Sequence, residues 1–501
     1  VTIDQAHSDS LGSRILSGLA WKAGSQVTLQ ITRTVVALVL ARMLAPEDWG
    51  LAAMVLVFAG FVVVFTDNAL GTALIQRRQI LEEDRSTVFW VSAAVGIALA
   101  LCGVAFAGQL ADFYGEPKVR WLFVALSMGF LVSALGSTQM AVLIREMEFR
   151  RLELRQIAAT LSGAIAGIGL ALFGYGAWAI VGQLLSESVA STVLLWVLSP
   201  WRPSWRFSWK SVRRLGGFAG NVFAENVIWQ ASRTVCSVLI GRVLGAAALG
   251  TYTLASTVIL MPFARIAGPL QQVFFPAFSR ISDDRERMAD IWIRATRLVG
   301  AISIPSLVGL VIVAPDFVQV VLGAKWTQVT QVIQILAIVG IIQSLHTLNG
   351  EVLQALDKTG ILLRFTTLWS IVSIGAVATG LHWGIVGVAI CYAIGTMVIE
   401  PLRAYLTTRA LGIPISRFIH SLSGVTQASL AMGAAVFAGR ELLVELNVPA
   451  IARLALLLTL GGVVYAACCL WRAPEVTREV KGAIGRRKAA SVLTDAIEAP
   501  V

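Results

Sequence analysis

The sequence is short of charge. Asp, Glu, Lys and Arg make up 14% of its 501 residues, against a hydrophobic share of 57% and a mean hydropathy of +0.77. Water-soluble domains run at about 25% charged and about 45–50% apolar, so soluble enzymes and disordered tails are excluded. Cysteine is sparse as well. Cys102, Cys236, Cys391, Cys468 and Cys469 sit in apolar runs with no CxxC spacing, which reads as small buried hydrophobes and indicates no disulfide framework. Chemical signatures are missing in turn: no GxxxxGK[ST] phosphate loop, no HExxH, no GxSxG elbow, no Cys/His cluster, and no Asp-x-Asp on a connection to hold a metal–sugar complex. These gaps argue against an ATPase motor, a metalloenzyme and a serine hydrolase, and no cofactor is expected. The net charge of +11 does not point to nucleic acid, because basic cytoplasmic loops of a membrane protein produce the same excess.

What is present is a train of apolar runs from about residue 18 to 471. A spanning helix needs roughly 20 apolar residues, so about 14 transmembrane helices fit, leaving only short loops and tails. The runs are too long and too uniformly apolar for the alternating strands of a β-barrel. The expectation is an all-α integral membrane protein. Residues 1–14 carry Asp4 and Asp9 without an apolar core, so they do not read as a signal peptide. Sidedness follows from Lys and Arg in the connections. With the N-terminus inside, 28 basic residues fall on inner connections and 6 on outer ones, which puts both termini in the cytoplasm. In the linker at 199–215, Trp201, Trp205 and Trp209 alternate with basic residues, as expected of an amphipathic segment on the inner membrane surface.

The chain repeats itself. Residues 30–50 read QITRTVVALVLARMLAPEDWG and residues 230–250 read QASRTVCSVLIGRVLGAAALG, with seven identities in 21 positions and no gap. Two Arg and one Gln match at membrane depth, which chance pairing of apolar helices does not supply. Parallel repeats of six spans are a transporter architecture with the site between the halves. The layout is then a tail at 1–17, an N-lobe of six helices at 18–198, the linker at 199–215, a pseudo-symmetric C-lobe of six helices at 216–408, two C-terminal helices at 417–471 and a basic cytoplasmic tail at 472–501.

In the first span, Lys22, Gln26, Gln30 and Arg33 recur at steps of four, four and three, lining one helical face. Asn226, Gln230 and Arg233 occupy related positions in the seventh span. Lipid cannot face such a stripe, so it faces protein or a wet cavity. At 1.5 Å per residue, Arg33 lies roughly 22 Å above the inner end of its helix. One reading is a cationic cavity between the lobes with Arg33 and Arg233 across it, where planar guanidinium forks suit phosphate. The other pairs each Arg with a lone acid or with helix-end carbonyls. Glu187 and Arg265 are mid-span and either line that cavity or pair with each other. Glu225 adjoins the polar face, while Glu351, Glu400 and Asp67 near inner helix ends suit capping, coupling or gating. His346 reads as hydrogen-bonded filler.

The stretches RTVVALVLARMLAPEDWG at 33–50, FTDNALGTALIQRR at 65–78, EEDRSTVFW at 82–90, IREMEFRRLELRQ at 144–156 and GYGAWAIVGQ at 174–183 resemble the polysaccharide transport family, the Wzx-type flippases of the multidrug/oligosaccharidyl-lipid/polysaccharide exporter superfamily. The resemblance implies a flippase in the bacterial inner membrane, not an enzyme. It implies that undecaprenyl-pyrophosphate-linked oligosaccharide crosses from the inner to the outer leaflet by alternating access, for exopolysaccharide, capsule or O-antigen synthesis. It also implies membrane lipids as partners, with a polysaccharide polymerase and glycosyltransferases as further candidates, and a groove for the lipid tail at 417–471. A multidrug exporter and a peptidoglycan-precursor flippase are the neighbouring alternatives; a membrane glycosyltransferase or polymerase is the alternative from another class. Cationic drugs call for an acidic or apolar cavity, and a membrane glycosyltransferase calls for outer-loop carboxylates. The conspicuous mid-helix residues here are mostly basic.

Overall fold

A computed structural model describes residues 25–26, 28–67, 74, 81–146, 148–209, 230–231, 234–260, 274, 277–475 and 478, with the backbone alone for 59–67. Among them there is no strand. Among the described residues ten stretches are long and apolar enough to cross a membrane, and two of these, Ala324–Ala355 and Thr359–Leu411, each hold two α-helices. The protein is an all-α, multi-span membrane protein.

The chain divides into two compact units, Val1–Leu254 and Ala255–Val501. In the first unit, helix α1 spans 28–43. It is followed by α2 (Pro46–Asp67), α3 (Glu82–Tyr114), α4 (Pro117–Arg145), α5 (Phe149–Leu172) and α6 (Trp178–Leu198). The helices pair as antiparallel neighbours, α3 with α4 and α5 with α6, as short connections dictate, while α4 and α6 pack in parallel, with Ser133 on Ser188 and Trp196 donating to the Leu135 carbonyl. Several outrun the apolar runs because their first turns are polar. Helix α3 begins on Glu82, Glu83 and Asp84, and the Asp84 carboxylate accepts from the Leu81 N–H at 3.1 Å.

The linker after α6 runs back along the start of α3. Ser86 and Ser204 share a hydroxyl hydrogen bond, Trp90 Nε1 donates to the Ser204 carbonyl at 2.9 Å, and Trp205 stacks on Trp90. The three linker tryptophans part company. Trp201 is buried against Phe89, whereas Trp205 and Trp209 are exposed.

The second copy of the repeat opens within the first unit, as α7 (Thr234–Leu260). Its Gly245 has φ +82°, a conformation open to glycine at no steric cost. It stands where Ala45 breaks the first copy between α1 and α2. Just beyond these turns the copies cross. A side-chain carbon on Gly50 would fall 1.7 Å from the Ala246 carbonyl oxygen, and one on Gly250 would fall 2.0 Å from the Pro46 carbonyl oxygen. Residues 46 and 246, like 50 and 250, are equivalent positions of the repeat, so the contact is reciprocal and only paired glycines permit it.

The second unit is built around α8 (Arg285–Phe317), which packs on α9 (Thr327–Leu345), on α13 (Ile415–Glu445) and on α14 (Ala450–Arg472). Between them come the short α10 (Asn349–Ala355), α11 (Thr359–Gly380) and α12 (Gly384–Leu411). Helix α8 contains Pro305 and Pro315, each of which leaves the carbonyl four residues back without its helical donor. Both carbonyls find side chains. Tyr465 of α14 donates to Ala301 O at 2.7 Å, and Gln334 of α9 donates to Val311 O at 3.0 Å. At the end of α8, Asp316, 1% exposed, accepts from Arg440 Nε at 2.8 Å and Arg453 Nε at 2.6 Å. Near its start, Asp290 pairs with Arg417 at 2.7 Å.

Two tests follow from this packing. Gly50→Ala and Gly250→Ala each lower stability by about 1–3 kcal/mol through overpacking, read as a thermal shift in detergent, while Gly108→Ala, with open space around it, leaves the midpoint in place. Asp316→Ala strands two partly buried guanidinium groups and costs about 3 kcal/mol, whereas Tyr465→Phe, which orphans one carbonyl, costs about 1–3 kcal/mol.

Candidate functional site

The polar residues of the first unit converge on Glu187, in the middle of α6. Gly163 on α5 makes this possible. A side-chain carbon there would meet the Gln183 carbonyl oxygen at 2.8 Å and the Glu187 Cβ at 3.1 Å, so its absence lets α5 and α6 close up. One carboxylate oxygen, Glu187 Oε1, then accepts from Gln156 Nε2 at 3.0 Å, from Thr160 Oγ1 at 3.0 Å and from Arg33 Nη2 of α1 at 2.9 Å. The network extends through Arg155, buried to 6% exposure, whose Nη2 donates to Gln156 Oε1 at 2.8 Å and whose Nη1 donates to Ser191 Oγ at 2.9 Å. Below it, Ser25 Oγ donates to Glu153 Oε2 at 2.5 Å. Helices α1, α5 and α6 thus share one hydrogen-bonded polar interior.

Arg33 is the open end of that interior. Its side chain is 49% exposed while its partner Glu187 is 17% exposed. Of five guanidinium donors, one is committed to Glu187, and no other hydrogen bond of Arg33 is present among the described residues. A half-exposed fork with free donors can take an anion without being pulled from its anchor. Gln26 is exposed and Gln30 half-buried on the same helix.

Arg33 pairs with an acid, the second of the two readings, and that acid is Glu187. Arg33 faces Glu187 while Arg265, the other partner considered for Glu187, lies outside the described residues, as do Lys22, Asn226, Arg233 and Glu225. Asp67 closes the backbone of α2. Gln230 Nε2 donates to Thr234 Oγ1 at 3.3 Å, and Thr234 in turn donates to the Val57 carbonyl of α2. Glu351 belongs to α10 of the second unit; Glu400 of α12, 1% exposed, lies 3.9 Å from Arg403 and 3.7 Å from His346 Nδ1. That nitrogen donates to the Ile342 carbonyl at 2.7 Å, in keeping with a hydrogen-bonded, packed histidine.

Gln156, Thr160 and Arg155 escaped the sequence reading. Arg155 counts there as a cation of an inner connection, yet it is a buried member of α5. The available signal was periodic: Gln156 and Thr160 are four apart, on one face. Arg440 likewise counts as an outer-loop cation, but it is the half-buried partner of the buried Asp316.

With this geometry in view, the chain's likeness to known proteins can be read. Residues 39–331 match the family model described as polysaccharide biosynthesis protein. The lipopolysaccharide biosynthesis protein WzxC of Escherichia coli (strain K12) is 27% identical over 418 residues, covering 82% of this chain and 85% of its own. The succinoglycan biosynthesis transport protein ExoT of Rhizobium meliloti (strain 1021) is 25% identical over 346 residues, covering 68% and 69%. Among solved structures, the lipid II flippase MurJ in an inward closed conformation superposes with a TM-score of 0.70 at 17% identity, covering 90% of this chain and 98% of its own, which establishes the fold. The family match takes in more than half of the 501 residues, and the chain belongs to the polysaccharide biosynthesis protein family.

Proposed function

We propose that this protein is a flippase for polyprenyl-diphosphate-linked oligosaccharides, moving them from the inner to the outer leaflet of the bacterial plasma membrane for surface polysaccharide synthesis. The observation that carries the reading is the half-exposed Arg33, set in an apolar helical unit and anchored by a carboxylate with three donors. A charged headgroup crossing hydrocarbon unpaired costs many kcal/mol; a wet interior with a guanidinium fork lowers that cost. Relatives named for lipopolysaccharide biosynthesis and succinoglycan transport support the assignment, as does a fold shared with a lipid flippase.

In this reading Gln26, Gln30 and Arg33, with Lys22, Asn226, Gln230, Arg233 and Arg265, contact the diphosphate and first sugars. Glu187 holds Arg33 in place while its remaining donors meet the phosphate, and Glu225, Glu351 and Asp67 serve coupling or gating. The lobes at 18–198 and 216–408 alternate in access. No covalent chemistry is asked of the protein. For an anion moving outward the membrane potential contributes ~2.3 kcal/mol per charge per 100 mV. Both termini face the cytoplasm, toward the enzymes that build the glycan.

Native mass spectrometry of purified protein tests the site. The wild type is expected to carry a polyprenyl-diphosphate glycan. Arg33→Ala loses it by about tenfold or more, the worth of one charge-assisted hydrogen bond, and Glu187→Gln retains it. A glycolipid held equally by Arg33→Ala removes Arg33 from the site; a bound cationic drug in place of the glycolipid replaces the function with multidrug export. Orientation is read by a membrane-impermeant maleimide: Glu445→Cys is labelled in intact cells and Trp209→Cys only after the inner face is exposed.

A further inference from the structure

The first unit has a second concavity, and it is apolar. A cavity of about 610 Å³ opens between α2, α3, α4 and α7, walled by five phenylalanines, Phe58, Phe106, Phe113, Phe123 and Phe130, and by Val238. On α3 its wall runs from Leu99 to Phe113, fourteen residues or roughly 21 Å of helix, so it is long enough for an extended chain. Gly103 closes α3 onto α4, since a side chain there would strike Ser127. Phe106 and Phe113 stand 61% and 44% exposed, so the cavity is open toward the lipid.

One end of this cavity is charged. The guanidinium of Arg242 lies 5.6 Å from the centre of the Phe113 ring. It sits on α7 one turn beyond Val238, which lines the cavity. No carboxylate pairs with Arg242 among the described residues. Stacking on a ring holds a guanidinium by its face and leaves its in-plane donors free for phosphate. An apolar trough ending in a free guanidinium is complementary to an anionic amphiphile, with the phosphate on Arg242 and the chain along α3.

The position of α7 selects among amphiphiles. This helix opens the second copy of the repeat, and the trough lies where it meets α2, α3 and α4 of the first copy. Gln230, one of the candidate headgroup residues, donates to Thr234 at the start of this helix. A lipid seated in the trough therefore lies against the same helix to which Gln230 donates, with its phosphate at the Arg242 end.

We propose that the trough with Arg242 at its rim binds the polyprenyl phosphate of the transported lipid, as a tail site in the first unit separate from the 417–471 segment. The proposal rests on the flippase reading above. Its test places the photoreactive residue p-benzoylphenylalanine at Phe106, and in a second protein at Phe437, an exposed residue of α13 that samples the lipid around the 417–471 segment. Both are reconstituted in phosphatidylcholine vesicles doped with equal mole fractions of undecaprenyl phosphate and phosphatidylglycerol, and the photo-adducts are identified by mass. The expected result is undecaprenyl phosphate enriched about tenfold at Phe106 relative to Phe437, the factor of one charge-assisted hydrogen bond. Arg242→Ala brings the ratio back to one, and Arg120→Ala, whose guanidinium stacks on Trp121 instead, leaves it unchanged. Phosphatidylglycerol taken up equally at Phe106, or polyprenyl adducts favouring Phe437, overturns the tail site. Native mass spectra of the same samples separate the two failures: undecaprenyl phosphate retained by the protein without a Phe106 adduct removes the trough and leaves the flippase standing, while no retention at all removes both.

Discussion

Hydrocarbon supplies no hydrogen bonds, so every polar group that this chain carries into the bilayer must find its partner within the protein. The rest of the structure follows from that demand. Two prolines in α8 free two carbonyls, and a tyrosine from α14 and a glutamine from α9 reach across to satisfy them. Asp316 is buried because two arginines from two other helices meet it. Glu187 is tolerated mid-helix because three donors from α1 and α5 point at one of its oxygens. In each case the polar contact also decides which helix lies against which, a specification that apolar surface against apolar lipid cannot provide.

The same economy shapes the meeting of the two repeat copies. The copies come together at Gly50 and Gly250 with backbone touching backbone, and dispersion between close-packed atoms replaces side-chain interdigitation there. The repeat therefore has a physical reason to keep glycine at both positions. Each glycine is the clearance for the other copy's carbonyl, and enlarging either side breaks both contacts. A related economy joins two of the stretches that carry the family resemblance. Gly176 of the segment 174–183 leaves room for the Asp48 carboxylate of the segment 33–50.

Helical class, the long apolar runs and the duplication were legible because each is written in local periodicity. The mid-membrane position of Arg33 and Glu187 was legible for the same reason, but their partnership was not, since 154 residues separate them and periodicity carries no information about which helix packs on which. Arg155 and Arg440 show the opposite error. Both stand next to connections in the sequence, so charge counting assigns them to water, yet helices α5 and α13 continue past the apolar runs and carry them into the interior. The tryptophans of the linker differ in fate by packing alone: Trp201 finds Phe89, Trp205 finds only the ring of Trp90, and nothing in their alternation with basic residues distinguishes them.

The fasteners along α8 have a mechanical meaning. Helix α13 is tied to it near one end by Arg417 and near the other by Arg440, and α14 by Tyr465 midway and Arg453 at the far end. Three helices joined at two points each behave as a plank, not as a hinge: a push on any one of them is carried by all three. Bending in the second unit is thereby left to its joints. The π turn Val318–Leu322 follows directly after the plank, and α9 beyond it is fastened back onto α8 by Gln334 and by the Ser303–Ser344 hydroxyl pair.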